Sequence, residues 1–440
     1  MACLGFCGEW FLSTCSSKLI AIHTKEPREL FVFDCSHAEK RLKIAKDVNS
    51  SDASEDTGSD TVLAFAVSSS GKLMAITDDT KRLILFQCEP SWHCISIRWV
   101  IRRCTSLVFS PAEDELLVAD KSGDVYSFSV VEPEKDGELK MGHLSMLLAV
   151  TISADDQYII TADRDEKIRV SHRRSPYNIQ SYCLGHHQFV STLEIPKGHP
   201  HWLLSGSGDG TVKLWEFESG RKLQSWDLGQ LEDKLCSDTA KGNNTAVFRI
   251  CSSPGGRDVA VLCDGLMNVY IFTLEQTNDE KLRLHSKLHL FHRPMDIGFD
   301  MKGQLWVLLD SSDVPLQIHT YRKNSWEGLY AGGGGWRKDG SLESRENAGG
   351  EGVECDTEND NLRRVTDILR TQWSTTDNFT SVTNHFEHLY KVSFDNVSVY
   401  LQKKQQRIEE HQLKRTKGQK TKCTKKSKKK PDEVLTQPST

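Results

Sequence analysis

Residues 185–216 read GHHQFVSTLEIPKGHPHWLLSGSGDGTVKLWE, and they set the frame for the rest of the chain. A Gly-His pair opens the stretch, an apolar run leads to Ser205, Gly208-Asp209-Gly210 makes a tight turn, and Trp215 follows on a second apolar run. The glycines and the aspartate supply the left-handed backbone that such a turn between strands requires. His186, Ser205, Asp209 and Trp215 carry complementary donors and acceptors. The four can form one hydrogen-bonded set that satisfies buried polar groups and pins the turn. His186 is thereby read as structural in preference to a ligand or a base. The pattern recurs 43 residues earlier, where Gly142-His143 opens a segment running through ISADDQYIITADRDEKIRVS to Ser171, with Asp165 aligned on Asp209.

A repeat of this length, Gly-His in front and a Trp-Asp-like end behind, marks the blade of a WD40 β-propeller. Its turn-plus-strand piece recurs as RELFVF to Phe33, KRLILF to Phe86, GDVYSF to Phe128, EKIRVS to Ser171, GTVKLW to Trp215, MNVYIF to Phe272 and VPLQIH to His319. Successive spacings are 53, 42, 43, 44, 57 and 47 residues. Each piece alternates apolar with polar or aromatic positions, as a strand in a half-covered sheet should. The two long gaps hold polar segments at 46–60 and 229–245, expected as surface loops. The expected fold is all-β: a seven-bladed WD40 propeller over 1–329, with an N-terminal strand near Leu4–Phe6 or Glu9–Thr14 closing the ring against the last blade.

Composition places the chain. Its 440 residues suit a propeller as one unit, no basic region precedes the short apolar N-terminal stretch, and no run reaches membrane-spanning length. The 13 cysteines are scattered and never spaced Cys-x-x-Cys, which points to an intracellular protein with reduced thiols. Charge is uneven: 403–430 holds 13 Lys and Arg against two Glu, a balance of +11, which leaves −16 for the remainder of a chain of net charge −5. An acidic body suits a protein partner and a basic tail suits nucleic acid, and KKSKKKP at 425–431 fits a nuclear-import signal. A tail that is merely solvated stays open. The expected location is the nucleus, with the cytoplasm also open.

Between body and tail, the Gly-rich acidic run at 330–361 reads as a disordered linker. Gly332–Gly335 lack the Gly-Lys-Ser/Thr of a phosphate loop. LRRVTDILRTQW (362–373) and the segment from His385 to Arg415 read as a helical extension, 362–413, ahead of a disordered basic tail, 414–440. In the second segment Phe386, Leu389, Tyr390, Phe394, Val397, Tyr400, Leu401 and Ile408 recur at three- and four-residue intervals. Such a stripe packs on its own propeller or enters a groove on a partner.

No catalytic constellation is present. His285, His289 and His292 have metal-like spacing but no carboxylate company, His199 and His201 flank a proline in a loop, and no nucleophile elbow or dinucleotide fingerprint occurs. Neither a metal nor a cofactor is therefore expected on this chain. What stands out is a basic theme before and within two adjacent blades. Arg98, Arg102 and Arg103 lead into blade 3 and Lys121 lies in its turn. Arg164, Glu166, Lys167, Arg169, Arg173 and Arg174 surround the turn and following strand of blade 4. Arg164, Glu166 and Lys167 are expected to face solvent, and Arg169 to lean toward the same rim. Mixed charge on neighbouring blades suits a charge-matched protein interface with a phosphate backbone nearby.

At this point LVADKSGDVYSFSV, GHLSMLLAVTISADDQYIITADRDEKIRVS, YCLGHHQFVS, TDDTKRLILF, VLCDG and LYKVSFDNVSVYLQKKQQR together resemble the WD-repeat non-catalytic subunit of the tRNA (guanine-N7)-methyltransferase, over essentially residues 1–413. The resemblance implies a heterodimer with a separate Rossmann-like subunit that binds S-adenosylmethionine and methylates N7 of a variable-loop guanine in tRNA. It implies a partner-facing set of Arg164, Glu166, Lys167 and Arg169 with Leu389, Tyr390, Phe394 and Tyr400 on the C-terminal segment. Arg102, Arg103, Lys121, Lys403, Lys404 and Arg407 are the expected nucleic-acid contacts. The Gly-rich linker departs from the family pattern. Two other roles remain open on the residues alone: an adaptor of a ubiquitin ligase or chromatin complex reading a peptide on the propeller face, and a tRNA-binding protein acting without a methyltransferase.

Overall fold

The computed structural model of the chain describes residues 2–40, 58–231, 245–275, 281–330, 352–373, 385–391 and 401–407. Among them, 28 strands form seven antiparallel four-stranded sheets, each built from four consecutive strands. The blades run from Cys3 to Asp34, Val62 to Trp99, Cys104 to Gly142, Leu147 to Cys183, Val190 to Asp227, Val247 to His289 and Pro294 to Tyr330. The first strand of each blade lines the axis and the fourth forms the rim. The chain belongs to two units, 1–390 and 391–440. The second contributes to the described residues a short helix over 401–407, whose side chains are all exposed.

The middle strands depart from the expected alternation. LMAITD and RLILFQ in blade 2 are buried on nearly every residue, and Asn268–Leu274 in blade 6 is buried throughout. A blade is covered on both faces by its neighbours, so its inner strands carry near-continuous apolar runs, and alternation survives only where one face meets the axis or solvent. Core clusters accordingly sit between blades. Leu83, Leu85, Leu116 and Val118 join blades 2 and 3, and Ile168, Val170, Leu203 and Trp215 join blades 4 and 5.

Three expectations need correction. RELFVF falls on the fourth strand of blade 1, Phe31–Asp34, whereas the strand equivalent to the other six pieces is Lys18–His23, KLIAIH. Its turn is Ser16-Ser17, without the Asp and Gly that mark the later copies. The N-terminal strand Cys3–Cys7 does not complete the last blade: it is the innermost strand of blade 1, paired with Trp10–Cys15. It meets the last blade side by side, with the Leu4 backbone N–H donating to Asp296 Oδ2 at 2.8 Å. The linker, too, is shorter than expected. The last strand continues to Tyr330 and helix α1 spans Gly352–Trp373, so 352–361 is helical, while 331–351 lies outside the described residues.

Over its second half, helix α1 places Leu362, Val365, Leu369 and Trp373 at three- and four-residue steps, and all four are buried. The long helix expected from His385 onward is absent at its start. Phe386 (φ −110°, ψ 4°) and Tyr390 (φ −60°, ψ 134°) flank a single 3-10 turn, Glu387–Leu389. Phe394, Val397, Tyr400, Ile408, the segment 408–440, and most of the loops at 46–60 and 229–245 lie outside the described residues.

Candidate interaction face

Each hairpin between the second and third strand of a blade turns on one face of the disc. In six blades the residue just past the second strand donates its backbone N–H to the carbonyl that precedes the blade's first strand. The pairs are Asp79 to Thr61, Lys121 to Arg103, Arg164 to Met146, Gly208 to Phe189, Asp264 to Ala246 and Asp310 to Arg293. Turns and inter-blade loops therefore share that face. A left-handed residue occupies the same place in successive turns: Lys81 (φ 69°), Gly123 (φ 97°), Glu166 (φ 72°) and Gly210 (φ 75°). The turns of blades 2 to 4 are capped by the final aspartate of the second strand. Asp78 Oδ1 accepts from Thr80 N and Arg82 N, Asp120 Oδ1 from Ser122 N and Asp124 N, and Asp163 Oδ1 from Lys167 N. In blade 4 this cap is Asp163, two residues before the Asp165 that aligns with Asp209.

Blade 5 carries the hydrogen-bonded set. Trp215 Nε1–H donates to Ser205 Oγ at 2.8 Å, the Ser205 hydroxyl lies 2.7 Å from His186 Nε2, and His186 Nδ1 lies 3.2 Å from Asp209 Oδ2. Asp209 also accepts from the His187 N–H and the Thr211 hydroxyl. Burial alone would raise the Asp209 carboxyl, yet its bonds from His186 and Thr211 hold it far below the ordinary range. Burial lowers the pKa of His186, which keeps the ring neutral. The set is closed on itself and has no atom to spare for chemistry. His285 and His289 are likewise engaged with ordinary neighbours, His289 Nδ1 at 3.0 Å from Asn268 Oδ1. Among the described residues no group of three His, Cys, Asp or Glu side chains could hold a metal ion.

On blades 5 and 6 the face is covered by the chain itself. Phe386 and Tyr390 pack their rings 5.3 and 5.1 Å from that of Phe189, and Leu389 is buried between them beside Ala246. The His385 N–H donates to Asp264 Oδ2 at 2.9 Å and its Nδ1 lies 3.1 Å from Oδ1, to which Arg293 Nη2 also donates at 3.2 Å. Burial of Asp264 is outweighed by these partners, and its pKa falls below the usual value. Tyr390 donates its hydroxyl to the Gly208 carbonyl at 3.1 Å, and burial pushes its pKa up to about 12. Leu389 and Tyr390 are thus occupied within the chain. So is Arg164, half-buried, whose Nε donates to the Leu389 carbonyl at 3.1 Å.

The same segment also touches blade 4 at Arg164, Met146 and Leu148, whereas exposed side chains remain on the face at blades 3 and 4. Arg102, Lys121 and Lys167 are exposed, and Arg103 is partly engaged with the Asp79 carbonyl at 3.1 Å. Ile101 and Leu144, in the loops leading into these two blades, are also exposed. An apolar side chain standing among cations is the composition of an interface centre with a charged surround. Ile101 and Leu144 were missed in the sequence because only charge was weighed there. Their place at the point where one blade hands over to the next, two residues past the strand His93–Trp99 or directly after the Gly142-His143 pair, is the signal that would have found them.

Arg169 does not lean into solvent. Its Nε donates to Ser171 Oγ at 2.9 Å, Nη2 to the Pro176 carbonyl at 2.7 Å and Nη1 to the Gly142 carbonyl at 3.3 Å, which ties the third strand of blade 4 to its rim strand and to blade 3. Burial lowers its pKa, with Tyr182 opposing. Arg173 is also turned inward, to Glu115 at 2.7 Å and to Asp156. Lys403, Lys404 and Arg407 lie on the 401–407 helix and are exposed. Phe394 and Tyr400 lie outside the described residues.

Seven four-stranded blades, with Gly-His openings at blades 4 and 5 and a closed His-Ser-Asp-Trp set in blade 5, define a WD40 β-propeller that offers an interaction face. The WD40 repeats of RRP9 in a crystal structure share this fold, at a TM-score of 0.56, 18% identity and coverage of 70% of this chain and 86% of that one. The family model described as the tRNA methyltransferase TRM82 WD40 domain matches residues 16–140 and 129–329. The tRNA (guanine-N(7)-)-methyltransferase non-catalytic subunit wdr4 of Danio rerio is 51% identical over 423 residues, 96% of this chain and 95% of that protein. The subunit of the same name from Homo sapiens is 40% identical over 91% of this chain and 89% of its own. The chain belongs to the family of WD40 non-catalytic subunits of tRNA (guanine-N7)-methyltransferase.

Proposed function

We propose that this chain is the scaffold of a heterodimer in which a separate subunit binds S-adenosylmethionine and transfers its methyl group to N7 of a variable-loop guanine in tRNA. The chain stabilises that subunit and extends its tRNA-binding surface. The observation that carries the reading is the division of the face: His385–Tyr390 packs on blades 4 to 6, whereas Ile101, Arg102, Lys121, Leu144 and Lys167 of blades 3 and 4 and the loops leading into them stay exposed. A rigid disc can hold the partner's loops there in one arrangement, which suits a reaction that depends on positioning. Arg102, Arg103 and Lys121, with Lys403, Lys404 and Arg407 on the C-terminal helix, meet phosphates, and the tail beyond them directs the complex to the nucleus. An adaptor reading a peptide across this face would first have to displace the chain's own segment.

The test is a titration of the catalytic subunit, and then of its complex with tRNA, using charge-reversed full-length variants. Lys167→Glu is expected to weaken the heterodimer at least tenfold, about 1.4 kcal/mol or more as for a rim charge placed against its complement. Arg102→Glu with Lys121→Glu is expected to leave the heterodimer intact, weaken tRNA binding and lower the salt slope by about two. Wild-type affinity for both ligands in all these variants would remove blades 3 and 4 from the account.

A further inference from the structure

We infer that helix α1 is the clasp that closes the propeller ring. Seven apolar clusters fill the seven junctions between neighbouring blades. Six contain only residues of the two blades and, in four of them, of the segment that joins those blades. The cluster at the junction of blades 7 and 1 also takes in Leu362, Val365, Leu369 and Trp373 of α1, packed with Phe11, Ile20 and Ile22 from one blade and Trp306, Leu316 and Ile318 from the other.

The reason lies in the topology. Every other junction is crossed by the chain as it passes from one blade to the next, as at residues 143–146 between blades 3 and 4 or 184–189 between blades 4 and 5. Blades 7 and 1 stand at opposite ends of the strand series, and because each blade is made of four consecutive strands, no strand is exchanged between them. That junction alone lacks the high effective concentration a short connection provides, so it is the one where the ring opens first. The inner strands do press together there. The Leu4 N–H reaches Asp296, and a side chain at Gly298 would stand 2.7 Å from the Leu4 methyl. These contacts leave the outer part of the junction to be filled by something else.

Helix α1 fills it and bonds to both sides. Arg364 Nη2 donates to the His23 carbonyl of blade 1 at 2.6 Å, and Arg370 Nη2 donates to the Asp313 carbonyl of blade 7. Since α1 follows blade 7 in the chain, its grip on blade 1 turns an unconnected junction into a connected one. The clasp does the work that an exchanged strand would do, and it can release without unfolding a blade.

Hydrogen exchange on the full-length protein tests this. In Leu369→Asp, amides of Cys3–Cys7 and Pro294–Phe299 are expected to exchange about tenfold faster or more, while blades 3 to 5 stay within about twofold of wild type. Leu369→Ala gives the same pattern at smaller amplitude and keeps the test readable should the aspartate variant not fold. Asp360→Ala, on the exposed side of the helix, is the control and leaves both strands unchanged. Equal acceleration in all seven blades overturns the clasp, since α1 would then stabilise the disc as a whole. Acceleration confined to α1, with both junction strands as protected as in wild type, overturns it equally.

Discussion

Replacing Arg169 by leucine separates an interfacial role for this residue from a structural one. The sequence suggests an exposed charge that the fold could lose without harm, but the guanidinium bonds Ser171, Pro176 and Gly142 at 2.9, 2.7 and 3.3 Å. Hydrogen bonds from a charged donor are worth about 1.5–3 kcal/mol each when well buried. Arg169 is only partly buried, and the bond to Gly142 is long, so the three together come to roughly 2–3 kcal/mol after discounting for solvent. Leucine also leaves two carbonyls facing an apolar side chain. Arg169→Leu is therefore expected to lower the free energy of unfolding by about 2–3 kcal/mol and to loosen the blade-4 rim, with weaker partner binding as a consequence. Denaturant titration of the pure variant, beside a titration with the catalytic subunit, reads both effects. Unfolding at the wild-type midpoint together with weakened partner binding would refute the structural reading and return Arg169 to the interface.

Three further outcomes follow from the same contacts. Ser205→Ala strands Trp215 Nε1–H and His186 Nε2 in a buried site and should cost about 2–4 kcal/mol in a denaturant titration; a loss under about 0.5 kcal/mol would mean the set contributes little net stability. His319 and His143 are held neutral by burial, their pKa lowered from 6.5 to about 4, and His319 has no hydrogen-bond partner for either ring nitrogen. The unfolded chain takes up a proton near pH 6.5 and the folded one only near pH 4, so stability is full above that window and falls as pH drops through it, by up to about 3 kcal/mol per histidine. His319→Leu should flatten the pH dependence of stability, and an unchanged slope would exclude that histidine. In the Lys323-Asn324 turn both residues have positive φ, 48° and 65°. Asn-Gly in their place should raise stability by about 1 kcal/mol, with a neutral or destabilising result counting against backbone strain there.

How much of this was legible in the sequence depended on whether the chemistry was local. The blade-5 set could be read because His186, Ser205, Asp209 and Trp215 lie within one repeat, and a hairpin brings them together whatever the rest of the chain does. Blade 1 was misread by one strand because its Ser16-Ser17 turn lacks the Asp-Gly signature. The middle strands were taken as half-covered because their second covering face comes from another blade. The segment at 385–390 has the spacing of an amphipathic helix, yet in tertiary contact with Phe189 and Asp264 it forms a single 3-10 turn. For the candidate site, exposed Arg102, Lys121 and Lys167 were found by charge. The inward turns of Arg164, Arg169 and Arg173 were not, since the acceptors they reach are backbone carbonyls and distant carboxylates that leave no mark in a local pattern.

The central claim is that this chain acts on tRNA methylation only through a catalytic partner. Its most direct test is reconstitution with purified components: N7-methylguanine formed in tRNA by the catalytic subunit alone, by this chain alone, and by the two together, with S-adenosylmethionine present throughout. The account predicts no product from this chain alone and a rate with both subunits at least tenfold, or about 1.4 kcal/mol, above that of the catalytic subunit by itself. Product from this chain alone, or a catalytic subunit equally active without it, would contradict the account.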